Sequence, residues 1–411
     1  MRVWGEGMDV RIIRLFDRYI LGALIPPAAL FSWFTKKQKE QKNASANDAY
    51  QKILMIKLWA IGDSILTLPM IRELKKKYPK AQIDVLCHER NKDVYTENKD
   101  LANVLLFSIK QVWKLYQKYD LVIDTEPYFH VSALIAAWTG TYRAGFAHQF
   151  RSMVYNSKTA FRKDQHMVQN YTDMLKFLGI TPSITKLIKI ESSSEAKARV
   201  KELVQQYQLK QKDLLIGISP GVAESVKSRM WPLQRMAYLA DRLVDELHAK
   251  IIFLDSPSNA AHVDEVIKKM TSMKKDKRVI NLAGKTNLKE TLFLMTGIPV
   301  FISNDTGPVH MAAAQACKTL GLYGPNIPTL WAPYGKGNIV LYHKVHCSPC
   351  IINDKGKMPE CIYKGTDQYQ MCMKRIEIND AFDAAKELVE AWRAEQNQQN
   401  RRKQVKHVRS R

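Results

Sequence analysis

Short apolar runs rich in β-branched residues alternate with helical patterns along most of the chain. The first four runs are KILMIKL (52–58), IDVLC (83–87), VLLF (104–107) and YDLVIDT (119–125), with helices expected at 63–77 and 129–138. Apolar runs separated by helices are typical of a buried parallel sheet built from βα units. This part of the chain is therefore expected to fold as an α/β domain.

The same alternation begins again after a polar stretch at 191–213. The expected strands are LLIGISPG (214–221), KIIFLD (250–255), RVINLAG (278–284), PVFISND (299–305) and KTLGLYG (318–324), with helices at 232–247, 259–272, 287–296, 308–316 and 378–395. At 411 residues the chain exceeds one typical core. We expect two doubly wound halves joined near residue 200, with ligands beyond the carboxyl ends of the strands.

The N-terminal region carries the apolar run YILGALIPPAALFSWF (19–34). As a helix this run would reach about 24 Å, which is short of the roughly 30 Å hydrocarbon core, and Pro26 and Pro27 would break it. A membrane span is therefore disfavoured, and no cleavage site of a secretory signal precedes the lysines. Two interpretations remain: a membrane-interfacial segment with Trp33 and Phe34 at headgroup depth, or a helix packed on the protein. Residues 35–49 are expected to be a polar linker.

The charge balance predicts an anionic partner. Lys and Arg number 63 against 40 Asp and Glu, a net charge of +23, which favours nucleic acid, an acidic membrane surface or phosphorylated substrates. Part of the excess lies in KKQKEQK (36–42) and in a basic tail at 397–411, which are either solvated tails or binding segments. A nucleic-acid-binding protein is one functional class to consider, but no motif of that class is present.

Asp63 stands where the first strand passes into a helix, in the loop LWAIGDSILTLP (58–69). Gly62 permits a tight turn, and the Asp63 carboxylate either caps free N–H groups or acts as a general base. If Asp63 is a general base, we expect the loop residues Gly62 and Ser64 to lie beside the acceptor, which is the substrate that gives up its proton to Asp63.

The second half opens with ISPGVAESVKSRMWPL (218–233). Ser219 and Gly221 belong to a sharp turn after a strand, and Lys227 and Arg229 follow it. Basic side chains near exposed backbone amides are suited to a diphosphate.

A third motif, SNDTGPVHMAAA (303–314), also joins a strand to a helix. Pro308 suits the first helical position, which makes Thr306 or Gly307 the cap, and the amides there offer an anion site. Asp305 precedes the turn, and His310 lies within the first helical turn. No G-x-G-x-x-G follows either first strand and no Walker A motif is present, which argues against dinucleotide oxidoreductases and P-loop enzymes.

Six cysteines are too few for a disulfide scaffold, so a reducing cytoplasm is expected. Four of them have the spacing C-x2-C-x10-C-x10-C, at Cys347, Cys350, Cys361 and Cys372. Two interpretations are open: a structural zinc site and a group of reduced, buried thiols.

The stretches KILMIKLWAIGDSILTLPMIRELKKKYP and FISNDTGPVHMAAAQACKTLGLYGPNIPTLWAPYG closely resemble glycosyltransferase family 9, the lipopolysaccharide heptosyltransferases. The resemblance covers roughly residues 50 to 395. It implies a GT-B fold: two Rossmann-like doubly wound domains facing across a cleft, with an acceptor-binding domain at 50–195, a nucleotide-sugar-binding domain at 213–376 and a C-terminal helix at 377–396.

The resemblance also assigns roles to the site residues. Asp63 would be the catalytic base of an inverting, metal-independent transfer that needs no cofactor. Asp305 would hold sugar hydroxyls, while Thr306, Gly307 and His310 would hold the diphosphate. The implied partners are ADP-heptose, the lipid A-core acceptor and an anionic membrane surface, with no nucleic acid, and the implied location is peripheral on the cytoplasmic face of the inner membrane.

Two departures from the family pattern bear on the donor. Arg229 stands where relatives have a Lys, which keeps the charge and changes the geometry, so that Lys227 is an alternative. Relatives often carry a Gly and a ribose-binding Glu in the loop after IIFLD, where this chain reads SPSNAAHVDEV (256–266). A family 9 enzyme with another nucleotide sugar is therefore a second interpretation, and a catalytically silent assembly partner is a third, which Asp63 and Asp305 argue against.

Overall fold

Both halves of the chain build a six-stranded parallel sheet. The computed structural model describes residues 15–36, 50–273, 275–351 and 360–409. The first sheet contains β1 (Lys52–Lys57), β2 (Gln82–Cys87), β3 (Asn103–Leu106), β4 (Tyr119–Asp124), β5 (Gly140–Phe146) and β6 (Ser157–Thr159). The second contains β7 (Leu215–Ser219), β8 (Lys250–Phe253), β9 (Val279–Asn281), β10 (Val300–Asn304), β11 (Lys318–Tyr323) and β12 (Ile339–Tyr342). Their neighbouring strands pair in parallel, which confirms the expected α/β class.

The two sheets share one strand order. The first runs β3-β2-β1-β4-β5-β6 and the second runs β12-β11-β10-β7-β8-β9. The two orders are the same when the strands of the second sheet are numbered from β7 and followed from its opposite edge. In each sheet the second and third strands lie on one side of the first strand, and the fourth strand lies on its other side. The loops after these two strands diverge there and leave room for a ligand. The described chain divides into two compact units between Ile190 and Glu191.

Helices connect the strands in both units. The first unit contains α1 (Ile25–Lys36), α2 (Ile61–Lys77), α3 (Lys92–Tyr95), α4 (Ile109–Lys114), α5 (His130–Thr139) and α6 (Met167–Asp173), with a π-helix at Phe16–Leu21. The second contains α7 (Ser194–Gln206), α8 (Leu233–Asp245), α9 (Ala260–Lys269), α10 (Lys275–Arg278), α11 (Leu288–Met295), α12 (Gly307–Ala314), α13 (Pro328–Trp331), α14 (Met371–Lys374) and α15 (Ile378–Arg409). The strands β1, β7 and β10 are almost entirely buried, as parallel strands covered on both faces must be.

Two helices occupy stretches that the sequence pattern left polar. In the stretch 191–213, α7 begins at the N-cap Ser193, whose hydroxyl accepts the Ala196 amide, and one face of the helix buries Ala196, Val200 and Leu203. The helix packs on α11 of the same unit. The helix expected at 378–395 continues to Arg409 and takes in most of the basic tail, of which residues 410–411 lie outside the described residues.

Three strands, β5, β6 and β12, were not predicted. β5 has the sequence GTYRAGF, in which two glycines and an arginine interrupt any apolar run. A Cβ on Gly140 would lie 2.2 Å from Val122 Cγ2, and one on Gly145 would lie 2.4 Å from the ring of Tyr155. Arg143 is buried, and its guanidinium donates to three backbone carbonyl groups. These residues fit a strand because of close neighbours that a local pattern does not contain.

The described part of the N-terminal segment packs on the first unit through one face. Ile25 is fully buried, and both the π-helix and α1 contact α5. Because α1 begins at Ile25, Pro26 and Pro27 lie in its first turn, where a missing N–H group is tolerated. The packed helix is therefore observed. Residues 1–14, and residues 37–49 of the expected linker, lie outside the described residues, and no helix in the described ranges is long and apolar enough to cross a membrane.

A buried carboxylate attaches this segment to the fold. Asp17, in the π-helix, is 4% exposed and accepts the backbone N–H groups of His130 and Val131, each at 2.9 Å. These amides begin α5, and Phe129, the N-cap residue of that helix, supplies no side-chain hydrogen bond. Asp17 therefore caps α5 from a distant part of the chain.

We expect Asp17→Ala to lower the free energy of unfolding of the first unit by about 1–2 kcal/mol, the usual cost of a lost helix cap. Chemical denaturation of the full chain measures the loss, and limited proteolysis should cleave near residues 15–36 more rapidly. Asp164→Ala is the charge-matched control, because the exposed Asp164 pairs only with Arg162 among its described ion pairs. Equal stability of the two variants would contradict the capping role.

Candidate active site

Asp63 lies at the crossing point of the first sheet. It belongs to the first turn of α2, directly after the loop that leaves β1. The N-cap residue Ala60 makes no side-chain cap hydrogen bond, so the negative charge of Asp63 complements the N–H groups at the helix start. Asp63 is only half-buried, so part of this residue is exposed to solvent.

A buried carboxylate holds the loop that leads to Asp63. Glu126 follows β4 and is 2% exposed. Its Oε1 atom accepts the backbone N–H groups of Leu58 at 2.7 Å and Trp59 at 2.9 Å. Since Leu58 and Trp59 directly follow β1, Glu126 ties together the loops after the two strands that flank the crossing point.

Lys57 and Tyr171 complete a buried cluster around Glu126. The Nζ atom of Lys57 lies 3.5 Å from Glu126 Oε1 and donates to the Tyr171 hydroxyl at 3.3 Å. Burial raises the pKa of Glu126; the Lys57 ammonium opposes this rise, whereas the charge of Asp63 adds to it. Burial and the Asp63 carboxylate also raise the pKa of Tyr171. Asp63 is therefore within electrostatic range of the Lys57–Glu126–Tyr171 cluster.

A second buried network positions Glu126. The Asp124 carboxylate, at the end of β4, accepts the Glu126 amide at 3.0 Å and the Tyr155 hydroxyl at 2.6 Å, and it pairs with Arg151. Burial lowers the pKa of Arg151 and the Asp124 carboxylate raises it, with a net rise. Arg151 therefore stays charged and balances Asp124.

Gly62 and Ser64 have different surroundings from those expected. Gly62 lies within α2 and does not have a positive φ, so the turn does not use the conformational freedom of glycine. Ser64 is fully buried, and its hydroxyl accepts the Asn91 side-chain amide at 2.7 Å. Ser64 therefore positions the start of α2 inside the unit, and its acceptor-side role stays a prediction.

The Lys57–Glu126–Tyr171 cluster was missed by reasoning from the sequence. A usable signal is present, because Lys57 interrupts the apolar run KILMIKL and Glu126 follows the apolar run YDLVIDT. A lysine inside a buried strand requires a partner of opposite charge. A carboxylate after a neighbouring strand is one such partner, but the pairing becomes evident only once the strand order is known.

In the second unit, Arg229 and Asp305 form the centre of the corresponding site. The Nη1 atom of Arg229 lies 3.3 Å from Asp305 Oδ2 and donates to the Asp305 carbonyl at 3.0 Å. Asp305 also accepts the Asn326 side-chain amide at 2.9 Å and is 3% exposed. Among the residues that the structure describes, the buried Nε–H group of Arg229 has no hydrogen-bond partner. Buried donors are normally paired, so this unpaired donor marks Arg229 as a candidate for contact with an anionic ligand.

Asn304 joins the loops of this unit. It ends β10 and is fully buried; its side-chain amide donates to the Pro220 carbonyl at 2.7 Å and its side-chain oxygen accepts the Trp231 amide at 3.0 Å. Pro220 follows β7, so the residue at the end of the fourth strand again holds the loop after the first. Asn304 stands inside the predicted SNDTGP motif, but it had no predicted role.

Ser219 and Gly221 form the expected turn after β7, but Asp255 engages both. The Ser219 hydroxyl donates to Asp255 Oδ2 at 3.0 Å, and the Gly221 amide donates to the same atom at 2.8 Å. A Cβ on Gly221 would lie 2.3 Å from Asn259 Nδ2, so the close approach explains the glycine. The binding of a diphosphate by these two residues stays a prediction. In the structure the Ser219 hydroxyl and the Gly221 amide stabilise the turn.

The remaining predicted donor residues lie at different depths. Thr306 is the N-cap of α12, and Gly307 begins that helix; both are half-buried, so the helix start is accessible. His310 is buried in the first turn. Lys227 is exposed and pairs with Glu224 at 2.5 Å, so it lies outside the Arg229–Asp305 contact.

The four cysteines of the predicted group are free thiols in the second unit. Burial raises the pKa of Cys350 to about 11, and the thiol groups of Cys347 and Cys361 add to the rise. Burial also raises the pKa of Cys372 to about 11. In the described ranges we find no group of three or more His, Cys, Asp or Glu side chains that is arranged to hold a metal ion. The structural zinc site stays a prediction from the cysteine spacing.

Comparison with known proteins identifies the family to which this fold belongs. Residues 109–358 match the family model "Glycosyltransferase family 9 (heptosyltransferase)". The chain is 27% identical over 300 residues to lipooligosaccharide heptosyltransferase 2 of Haemophilus influenzae, an alignment that covers 68% of this chain and 85% of that one. It is 25% identical over 320 residues to lipopolysaccharide heptosyltransferase 2 of Escherichia coli, covering 72% of this chain and 90% of that one.

Solved structures agree on the architecture. The family 9 glycosyltransferase of Veillonella parvula has a TM-score of 0.69 with 25% identity and covers 85% of this chain and 100% of its own. The Escherichia coli ADP-heptose heptosyltransferase II has a TM-score of 0.65 with 22% identity and covers 83% of this chain and 99% of its own. The fold is thus that of the GT-B glycosyltransferases. The chain belongs to glycosyltransferase family 9, the heptosyltransferase family, and is a glycosyltransferase.

We expect Glu126→Gln to lower the free energy of unfolding by about 3 kcal/mol, because Lys57 would then be a buried charge without its partner. The Gln oxygen still accepts the two backbone amides, so the variant isolates the effect of charge. The double variant Lys57→Met/Glu126→Gln removes both charges and should recover most of the loss. Urea denaturation of the wild type and these two variants measures the loss and its recovery, and equal instability of the single and double variants would contradict a charge-balanced pair.

Proposed function

We propose that this enzyme transfers a heptose from ADP-heptose to the inner core of lipopolysaccharide, with inversion at the anomeric carbon and without a metal ion. The observation that carries the proposal is the half-buried Asp63 at the start of α2, beside the buried Lys57–Glu126–Tyr171 cluster. The names of the relatives, which are heptosyltransferases of lipopolysaccharide and lipooligosaccharide, support the substrate class.

In this mechanism Asp63 acts as the general base. The carboxylate takes the proton of an acceptor hydroxyl while that oxygen forms a bond to the anomeric carbon of the donor. The bond from that carbon to the diphosphate breaks, and the nucleoside diphosphate leaves with the bonding electron pair. The buried Glu126 supports the reaction by fixing the loop before Asp63.

The second unit supplies the donor site in this proposal. Negative charge builds on the diphosphate as the bond breaks, and cationic or N–H groups placed there stabilise the transition state. Arg229, with its unpaired Nε–H group, and the half-buried start of α12 at Thr306 and Gly307 supply such groups. Asp305, already held by Arg229 and Asn326, orients the arginine in addition to its proposed contact with sugar hydroxyls.

A family 9 enzyme with a different nucleotide sugar is the second candidate. One observation favours it: the loop between β8 and α9, where the family resemblance implies a ribose-binding Glu, contains no Glu, and the Glu265 that follows lies within α9. Asp255, the acidic residue present there, already accepts hydrogen bonds from Ser219, Gly221, Ser256 and Asn259. A panel of nucleotide sugars distinguishes the two candidates, since equal turnover of all donors would rule out heptose specificity.

The proposal places the enzyme at the cytoplasmic face of the inner membrane, as a peripheral protein. The acceptor, lipid A with its core sugars, is anchored in that membrane. The residues at 50–195 would bind the acceptor and those at 213–376 the donor. The net charge of +23 favours partners that carry phosphate groups.

We expect Asp63→Asn to lower kcat by about 10²–10⁴-fold, which is the usual contribution of a general base. Binding of ADP, measured by calorimetry, should be unchanged because Asp63 does not contact the donor in the proposed mechanism. Asp93→Asn is the matched control, since Asp93 is also an acidic residue in the first turn of a helix of the same unit. Transfer by Asp63→Asn at the wild-type rate with every active donor would refute the assignment.

We expect Arg229→Lys to raise the KM for the nucleotide sugar by roughly 10-fold or more, the value of one hydrogen bond to a charged group. Lysine keeps the positive charge beside Asp305 and loses the forked geometry of the guanidinium. Lys227→Ala is the control, and it should leave KM unchanged because Lys227 is exposed and pairs with Glu224. The reverse pattern would assign the diphosphate to Lys227.

A further inference from the structure

One face of the first unit exposes many large apolar side chains. The face consists of α5 and the four elements that pack around it: the π-helix Phe16–Leu21, α1, α4 and the 3-10 turn Phe150–Val154. We call it the α5 face. Its exposed side chains include Tyr19 at 65%, Leu30 at 58%, Ile109 at 56% and Trp113 at 63%. Contiguous exposure of this kind marks an interaction surface on a globular protein.

The exposed residues belong to one continuous surface. The ring of Phe31 in α1 lies 6.5 Å from the ring of Tyr116, and Tyr116 lies 4.5 Å from Trp138 at the end of α5. The ring of Trp113 in α4 lies 4.6 Å from the same Trp138. These ring contacts connect α1, α4 and α5, so residues about 80 positions apart in the sequence share one surface.

The α5 face is basic as well as apolar. Its five elements have the sequences FDRYIL, IPPAALFSWFTK, IKQVWK, HVSALIAAWT and FRSMV. Asp17 is their one acidic residue, and it is buried as the cap of α5. The exposed charges within the described part of the face are cationic and include Arg18, Lys110 and Lys114.

These features fit an anionic bilayer surface. Tryptophan and tyrosine suit the headgroup region, where one part of the ring is apolar and another is hydrated. Lysine and arginine beside them attract anionic lipids. A second copy of the chain fits less well, because two such faces would bring their cationic residues together. A surface that is apolar and flanked by cationic side chains would lie along the bilayer interface.

We propose that the α5 face docks the enzyme on an anionic lipid bilayer, with Trp113 and Ile109 among the headgroups and Lys110 and Lys114 against lipid phosphates. The α5 face combines the N-terminal segment with residues of α4, which lie far from that segment in the sequence. The inference deepens the proposed function, because an acceptor anchored in the same bilayer would then be presented to the first unit.

The test is co-sedimentation of the full chain with vesicles of phosphatidylethanolamine and phosphatidylglycerol, without donor or acceptor. The wild type should bind these vesicles and not phosphatidylcholine vesicles, and high salt should weaken binding. Lys110→Glu/Lys114→Glu should weaken binding by at least about 30-fold. Lys268→Glu/Lys269→Glu is the matched control, since it makes the same change in net charge on exposed residues of α9 and should bind nearly as the wild type does.

A second pair of variants tests the apolar contact. Trp113→Ser should weaken vesicle binding, whereas Tyr238→Ser, which changes an exposed aromatic residue of α8 in the second unit, should not. Equal losses in both charge variants would assign binding to net charge and overturn the proposal. Self-association of the wild type that Trp113→Ser abolishes would overturn it in favour of a contact between copies. Transfer to a soluble, delipidated acceptor is measured separately, so a failure of docking is distinguishable from a failure of the proposed activity.

Discussion

In each unit, one buried polar side chain at or just after the end of the fourth strand holds the loop after the first strand. Glu126 accepts the amides of Leu58 and Trp59 in the first unit, and Asn304 donates to the Pro220 carbonyl in the second. The reason lies in the strand order, because loops that diverge from a parallel sheet leave backbone groups without ladder partners. A side chain from the adjacent strand satisfies those groups and fixes the loops.

The two fixed loops carry opposite electrostatic character. In the first unit the carboxylate of Asp63 stands at a helix start, while the nearby Glu126 is balanced by Lys57 within the protein. In the second unit the cation of Arg229 lies against Asp305, and its buried Nε–H group has no hydrogen-bond partner among the described residues. In the proposed function, the carboxylate would take up the proton of the acceptor and the cation would stabilise the departing diphosphate.

The N-terminal segment links the fold to the proposed location of the enzyme. Asp17 caps α5 and thereby holds the segment on the unit, so its remaining apolar side chains join those of α4 in one surface. Asp17 is the one acidic residue of the five elements of the α5 face, and its carboxylate is buried as the cap. The same interaction that attaches the segment therefore leaves the face apolar and cationic.

The sequence by itself determined the α/β class, most of the strands, the family, and the positions of Asp63 and of the SNDTGP motif. Alternating apolar runs and helix-start residues are local signals, so they are readable without a structure. Only the tertiary structure decided that Ser219 and Gly221 are engaged by Asp255 and that Glu126 supports the loop of Asp63. It also revealed β5, where glycines serve the packing of Val122 and Tyr155. Such contacts join residues far apart in the chain, and a hydrogen-bond donor or a missing side chain acquires its partner only when the strand order brings the two together.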